Sequence, residues 1–394
     1  MLPLEGITVV SLEQAVAAPF ATRQLADLGA RVIKVERPGP GDFARGYDQT
    51  VKGMSSHFVW ANRSKESIAL DLKHEEAKKV LEELLSKADV FIHNLAPGAV
   101  DRLGFSAAEL KEKYPQLIIC SISGYGTFGP YTNKKAYDLL IQCEAGLVSV
   151  TGTEDTPSKA GISIADIAAG MYTYTGVLTA LIARSKTGKG AVIEVSMLEA
   201  LAEWMGFPLY YSAYGEQEPK RTGASHATIY PYGPFKAGDG KFVFMGIQNE
   251  REWVRFCKEV LKKPEVAADG RFDNNSKRVV NKEALKEIIE DVFQQSESLE
   301  IIDLLEEAKI ANARLNTLKE LVDHPQLQAR NRWSEVDSPV GPLKALIPPV
   351  TSNEISSVMK PIPAVGQHTA AILKEFGFDP DKMQSFTSID AAEN

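Results

Sequence analysis

The sequence predicts an α/β protein with an open, mostly parallel sheet and a smaller second domain. Three observations predict it. Short apolar runs alternate with helix-period segments from residue 7 to residue 123. The first of them make a compact β-α-β unit, whose handedness rule makes the strands parallel neighbours. Beyond about residue 200 the texture changes to a Tyr-, Gly- and Pro-rich stretch followed by mainly helical segments.

The elements follow in order. "ITVVSL" (7–12) reads as a strand, "APFATRQLADLGA" (18–30) as a helix closed by Gly29, and "RVIKVE" (31–36) as a second strand. "IALDLK", closed by Lys73, is a further strand. "HEEAKKVLEELLSKA" (74–88) is strongly amphipathic, "DVFIHN" (89–94) a strand, "SAAELKEKY" (106–114) a helix and "QLIICSIS" (116–123) a strand. A small-residue helix around Asp166 and the strand "GAVIEVSM" (190–197) continue the pattern. Residues 210–235 read as a long irregular connection. "KFVFMGI" (241–247) gives one strand, followed by helices near 249–262, 281–294, 298–308 and 316–323. A β-like segment (331–350) and a short helix in "GQHTAAILKEFGF" (366–378) close the chain, and "SFTSIDAAEN" reads as frayed. These readings give a Rossmann-like large domain whose N-terminal part is 1–205. A linker (206–235), a small domain (236–325) and a linker with a C-terminal part returning to the large domain (326–394) follow.

Composition narrows the partners. Lys+Arg 44 against Asp+Glu 52 gives a net charge of −8, which argues against nucleic acid and anionic membrane. An anionic ligand then needs local cations. Cys120, Cys143 and Cys257 are scattered without a CxxC, which suits a reducing cytoplasm, and no HExxH or other metal-ligand spacing occurs, so no metal is expected. The start "MLPLEGITVV" has no signal-peptide pattern. The apolar stretch Ile162–Ala183 approaches membrane-spanning length, but it carries Asp166, two Gly and two Tyr, and reads as a buried core helix.

Three features bear on chemistry. "GYGTFG" (124–129) has dinucleotide-site spacing, yet Pro130 and a loop follow it, and Glu144 ends no second strand; it reads as a Gly loop bordering a ligand. "SKTGKGA" lacks P-loop spacing. Arg37, Lys73, Arg102 and Lys135 sit at or beyond predicted strand ends, where open α/β sheets bind ligands; together they could hold phosphates, while any one alone reads as a solvated surface residue. Asp166, at the start of an apolar helix, has two readings that spacing leaves open. It is either a helix N-cap or a nucleophilic carboxylate in a site that excludes water.

Longer stretches carry a resemblance. "LEGITVVSLEQAVAAPFATRQLADLGARVIKVERPGPGDFARG", "NRSKESIALDLK", "HNLAPGAVDRLGF", "SGYGTFGP", "AYDLLIQCEAGLVSVTG" and "IADIAAGMYTYTGVLTALIARSKTGKG" resemble the class III CoA-transferase (CaiB/BaiF) family. "YPYGPFKAGDGKFVFMGIQNEREWVRFC" and "NTLKELVDHPQLQARNRW" extend the likeness into the second half. The resemblance implies a nucleophilic Asp166 and CoA contacts at Ala15, Arg37, Leu70, Lys73, Asn94, Leu95, Arg102 and Lys135. It implies a CoA thioester as co-substrate, with no permanently bound cofactor. Val16 and Tyr47 fall where formyl-CoA transferases carry Gln and Trp, and "GASHATI" (223–229) replaces their Gly-rich loop. These departures weigh against oxalate/formate specificity. The family's racemases carry a His before the "YD" pair, where this chain has Ala136. A transferase is thus preferred over a CoA-thioester racemase, and the retained Asp166 disfavours a non-catalytic CoA-binding protein.

Within the transferases, the likeness points to C4–C5 dicarboxylates. It also implies an interlocked homodimer and an aspartyl anhydride and aspartyl-CoA route. Gly124, Gly126 or the 223–229 loop are candidate oxyanion donors. Arg45, Arg221 or His226 are candidates to hold the acceptor's second carboxylate, Arg45 first.

Overall fold

The computed structural model describes residues 1–215 and 218–387. The chain forms two compact units. The first is made of Met1–Leu147, Ala160–Gly206 and the segment from Gln328 onward; the second is made of Val148–Lys159 and Phe207–Leu327.

The first unit is built on six parallel strands: β1 (Thr8–Leu12), β2 (Arg31–Glu36), β3 (Lys65–Ala69), β4 (Val90–His93), β5 (Ile118–Ser123) and β6 (Val192–Ser196). Their spatial order is β3-β2-β1-β4-β5-β6, so the sequence order reverses between β1 and β4. Val9 pairs with Val32 on one side and Val90 on the other, which fixes the register at this switch point. Alternate strand residues feed two cores, as a sheet covered on both faces requires. Val9, Val90 and Ile118 pack with the helices Ala17–Asp27, Asp138–Glu144 and Ile164–Thr187. Val10, Ile33 and Phe91 pack with Glu75–Ser86, in which Ala77, Val80, Leu81, Leu84 and Leu85 are all buried at helical spacing.

The segment from Gln328 onward belongs to this unit. Ile372 and Leu373 of the helix Thr369–Glu375 join the second core, and Val336 and Leu343 of a hairpin pack on Ala44 and Phe58. That hairpin pairs β10 (Trp333–Val336) with β11 (Leu343–Leu346). Phe386 is buried, and the rest of the tail expected to fray lies outside the described residues. Among the described residues no helix is long and apolar enough to cross a membrane.

The second unit holds the antiparallel sheet β7 (Tyr232–Lys236), β8 (Phe242–Gly246) and β9 (Ala311–Arg314) around a core that includes Phe235, Trp253, Phe256 and Phe293. One strand was expected in this region and three are present. β7 hides behind Gly233 and Pro234, which a sheet tolerates on an edge strand where no ladder N–H is needed. The presumed connection also contains the helix Gly206–Tyr214. In the first unit, β3 starts and ends earlier than "IALDLK" suggests, because Lys65 and Ser67 are polar strand residues that are nevertheless buried.

Candidate active site

The helix Ile164–Thr187 lies in the crossover from β5 to β6, so it starts at the carboxyl edge of the sheet, the ligand-binding edge of such folds. Ser163 occupies the N-cap position and Asp166 is the third helical residue, so the cap reading of Asp166 does not hold. The orphan N–H groups of this first turn are met from outside. Ala165 and Asp166 donate to Oδ1 of Asp138, at 2.8 and 3.3 Å. The Asp166 carboxylate itself is half-buried and accepts no hydrogen bond from any described residue. Burial, and then the neighbouring Asp138 charge, push its pKa up to about 7. A desolvated carboxylate with no partner to stabilise its charge is unusually basic, and that is what a nucleophile requires.

A second helix start lies against this turn. A Cβ on Gly170, one turn beyond Asp166, would sit 2.7 Å from the Ala17 carbonyl oxygen and 2.9 Å from Phe20 Cδ1. Only glycine permits this approach. Val16 caps the helix Ala17–Asp27 without a side-chain bond. The N–H groups of Val16, Ala17 and Ala18 find no acceptor among the described residues.

The loop leading into that helix is rigidly held. Asn94 and Gln14 bond reciprocally across the β1/β4 switch point: the Gln14 N–H donates to Asn94 Oδ1 and Asn94 Nδ2 donates to the Gln14 carbonyl, both at 2.8 Å. Ala15 adopts a left-handed conformation at φ 62°, strained for alanine, and its N–H donates to Asp42 Oδ1 at 2.9 Å. Asp42 is fixed in turn by buried Lys34 at 2.6 Å; Lys34 and Lys65 both reach Glu13 and Asn62. Burial acts to raise the Glu13 pKa, but the two lysines win and hold it down at about 2.

The four predicted cations follow the carboxyl ends of four successive strands. Arg37 follows β2, Lys73 lies four residues past β3, Arg102 ends the short helix Ala99–Arg102 after β4, and Lys135 lies in the loop after β5. All four are exposed and, among the described residues, none pairs with an acidic residue; Arg37 rests on the Phe43 ring. Leu70 is buried in the core, Leu95 is packed against it, and Asn94 and Ala15 hold the switch-point loop.

Other candidates are committed elsewhere. Arg45 grips Glu36 with Nε and Nη2, at 2.9 and 2.7 Å. Both its terminal nitrogens also donate to the Pro363 carbonyl, and its guanidinium lies 3.6 Å from the Phe58 ring centroid. Its fork is filled, so Arg45 is a structural cation and not a free carboxylate receptor. Gly126 already donates its N–H to Ser123 Oγ, while Gly124 is in close contact with Ala136. Arg221 and His226 belong to the second unit. Arg221 donates to the carbonyls of Thr153, Ser149 and Glu154, and His226 stacks on Tyr232 at 5.1 Å. Tyr47 is exposed, and burial of part of its ring with the Asp42 and Asp166 charges raises its pKa, which marks it as a neighbour of Asp166. Among the described residues no cluster of three or more His, Cys, Asp or Glu could hold a metal ion.

Sequence reasoning missed Asp138 and the Glu13–Lys34–Asp42 network. The only signal for Asp138 was its place in the "YD" pair beside Ala136.

Residues 4–369 match CoA-transferase family III. The chain is 34% identical to the human succinyl-CoA:glutarate CoA-transferase over 377 residues, covering 95% of this chain and 86% of that one. It is 36% identical to the acetyl-CoA:oxalate CoA-transferase of Acetobacter aceti, covering 95% and 96%. The crystal structure of a CaiB/BaiF family protein from Brucella suis superposes with a TM-score of 0.85 at 33% identity, covering 95% of this chain and 99% of that one.

Proposed function

The chain belongs to CoA-transferase family III, and on that basis we propose that it exchanges CoA between C4–C5 dicarboxylates such as succinate and glutarate through covalent intermediates on Asp166. The observation that carries the reading is the Asp166 carboxylate, unpaired, half-buried and raised to about 7, at the ligand-binding edge of the sheet.

The chemistry then runs through this side chain. A carboxylate oxygen of Asp166 adds to the donor thioester carbonyl, and collapse of the adduct expels CoA thiolate, leaving a mixed anhydride. The thiolate attacks the aspartyl carbonyl, releases the donor acid and leaves an aspartyl-CoA thioester. The acceptor carboxylate attacks that thioester, and the same steps in reverse deliver its CoA ester and free Asp166. Splitting one difficult displacement into several easier ones is the gain of covalent catalysis. Each tetrahedral adduct places negative charge on an oxygen. The free N–H groups of Val16 and Ala17 are better suited to it than Gly126, whose N–H is already donated. The unpaired Arg37, Lys73, Arg102 and Lys135 hold the phosphates of CoA.

Support for dicarboxylates comes from relatives named for succinate, glutarate and mesaconate. Ala136 offers no second proton-transfer group, which disfavours racemase chemistry. The reading includes an interlocked homodimer, supported by the helix Gly206–Tyr214, which buries none of its residues and exposes Phe207, Leu209, Tyr210 and Tyr214.

The test is incubation with succinyl-CoA and a panel of glutarate, mesaconate, oxalate and butyrate, with CoA esters read by mass. Transfer to the dicarboxylates, lost in Asp166→Ala with CoA binding kept, is expected. Transfer by Asp166→Ala at the wild-type rate overturns the nucleophile, and a preference for butyrate overturns the substrate class.

A further inference from the structure

We propose that Asp138 and Gln142 form a directional hydrogen-bond clamp that positions the nucleophile turn and leaves the Asp166 carboxylate free to react. The proposal rests on Asp166 being the nucleophile. Asp138 and Gln142 stand one turn apart on the helix Asp138–Glu144. Asp138 Oδ1 accepts the N–H groups of Ala165 and Asp166, at 2.8 and 3.3 Å. Asp138 Oδ2 accepts from Gln142 Nε2 at 2.6 Å, and Gln142 Oε1 accepts the Ala160 N–H at 2.8 Å. Gln142 is fully buried. Ala160 is where the chain re-enters the first unit, six residues before the nucleophile. The pair therefore grips both ends of the segment that carries Asp166.

The polarity of this chain is fixed. Two N–H groups and an amide N–H₂ all point at residue 138, so both its oxygens must accept, which only a carboxylate allows. The geometry has a chemical consequence. An acid in the first turn of a helix is drawn to the free N–H groups of that turn, where the helix dipole favours negative charge. With the Ala165 and Asp166 N–H groups already taken by Asp138, Asp166 has less to fold back onto. Holding a nucleophile in line is worth more than its binding contacts, since displacement by about 1 Å can cost on the order of 10²-fold in rate.

The polarity also supplies the test. Asp138→Asn points a donor at the Gln142 donor, and Gln142→Glu points an acceptor at an acceptor, so each single variant breaks the clamp. The double variant Asp138→Asn/Gln142→Glu restores every bond. The amide oxygen at position 138 then accepts the two helix N–H groups, and the amide nitrogen there donates to position 142. The carboxylate at position 142 accepts that bond with one oxygen and the Ala160 N–H with the other.

The readouts are kcat and KM for succinyl-CoA, with the rate of aspartyl-CoA formation followed by rapid quench and mass spectrometry. Each single variant is expected to lose kcat on the order of 10²-fold with KM little changed. The double variant is expected to recover most of that loss. Single variants with wild-type kcat, or a double variant no better than the two losses combined, overturn the proposal. Gln142→Leu, which keeps Asp138, serves where a position-138 variant fails to fold: it too should lose kcat, and wild-type kcat overturns the clamp. Asp166→Asn in the same assay separates the two readings. If it forms no adduct while the clamp variants form one at the wild-type rate, only the clamp fails. If it turns over normally, the nucleophile reading fails first.

Discussion

Replacing Asp166 by Asn keeps the shape of the side chain and removes its charge, so the cost of holding that charge in the fold becomes measurable. Burial and Asp138 raise the carboxyl from 3.8 to about 7. At about 1.4 kcal/mol per pH unit, such a change carries on the order of 4 kcal/mol. Solvent reaching the half-buried side chain screens it, leaving on the order of 1–2 kcal/mol. The sign follows from proton binding. The folded protein keeps a proton at Asp166 that the unfolded chain releases above 3.8. Stability from this group is therefore full below 3.8 and is lost as the pH rises through about 7. Urea unfolding of wild type and Asp166→Asn at pH 5 and pH 8, at one protein concentration, isolates the effect. The variant should gain on the order of 1 kcal/mol relative to wild type between the two pH values, since part of the effect is already lost between pH 3.8 and pH 5, while losing CoA transfer. A stability difference that stays constant, or favours the variant more at pH 5, refutes the reasoning: Asp166 would then be an ordinary solvated carboxylate.

Other outcomes follow from the same geometry. kcat/KM for succinyl-CoA should rise with pH through about 7 and level off, as Asp166 ionises beside Asp138 and Tyr47; a profile flat down to pH 5 contradicts this. Alanine at Arg37, Lys73 or Arg102 should raise KM for the CoA ester with kcat little changed, more so at low salt, and an unchanged KM in all three removes the phosphate role. Arg45→Met should cost about 3–5 kcal/mol in urea unfolding, because it removes the ion-pair partner of the buried Glu36 carboxylate, and should affect glutarate and butyrate transfer alike. A loss confined to glutarate would return Arg45 to the acceptor site.

The alternation of strands and helices, the parallel sheet, and the residue types that meet at its carboxyl edge were all legible in the residue order. β2 falls on the run predicted for it, and Glu75–Ser86 buries the face its spacing selects, because hydrophobic periodicity is a local record of burial. Strands that bury polar residues, such as Lys65 and Ser67 in β3, leave no such record. Which polar groups are already satisfied emerged only from the folded chain. Arg45 looked like a free cation until Glu36, nine residues away, and Pro363, 318 residues away, filled its fork. Asp166 read equally as a cap or a nucleophile until the fold put Ser163 at the N-cap position and Asp138, on another helix, against the N–H groups of its turn. A hydrogen bond forms only between groups within about 3 Å and in line. Whether a carboxylate is left free to react therefore depends on which distant segments the fold brings beside it, and residue type and spacing do not carry that information.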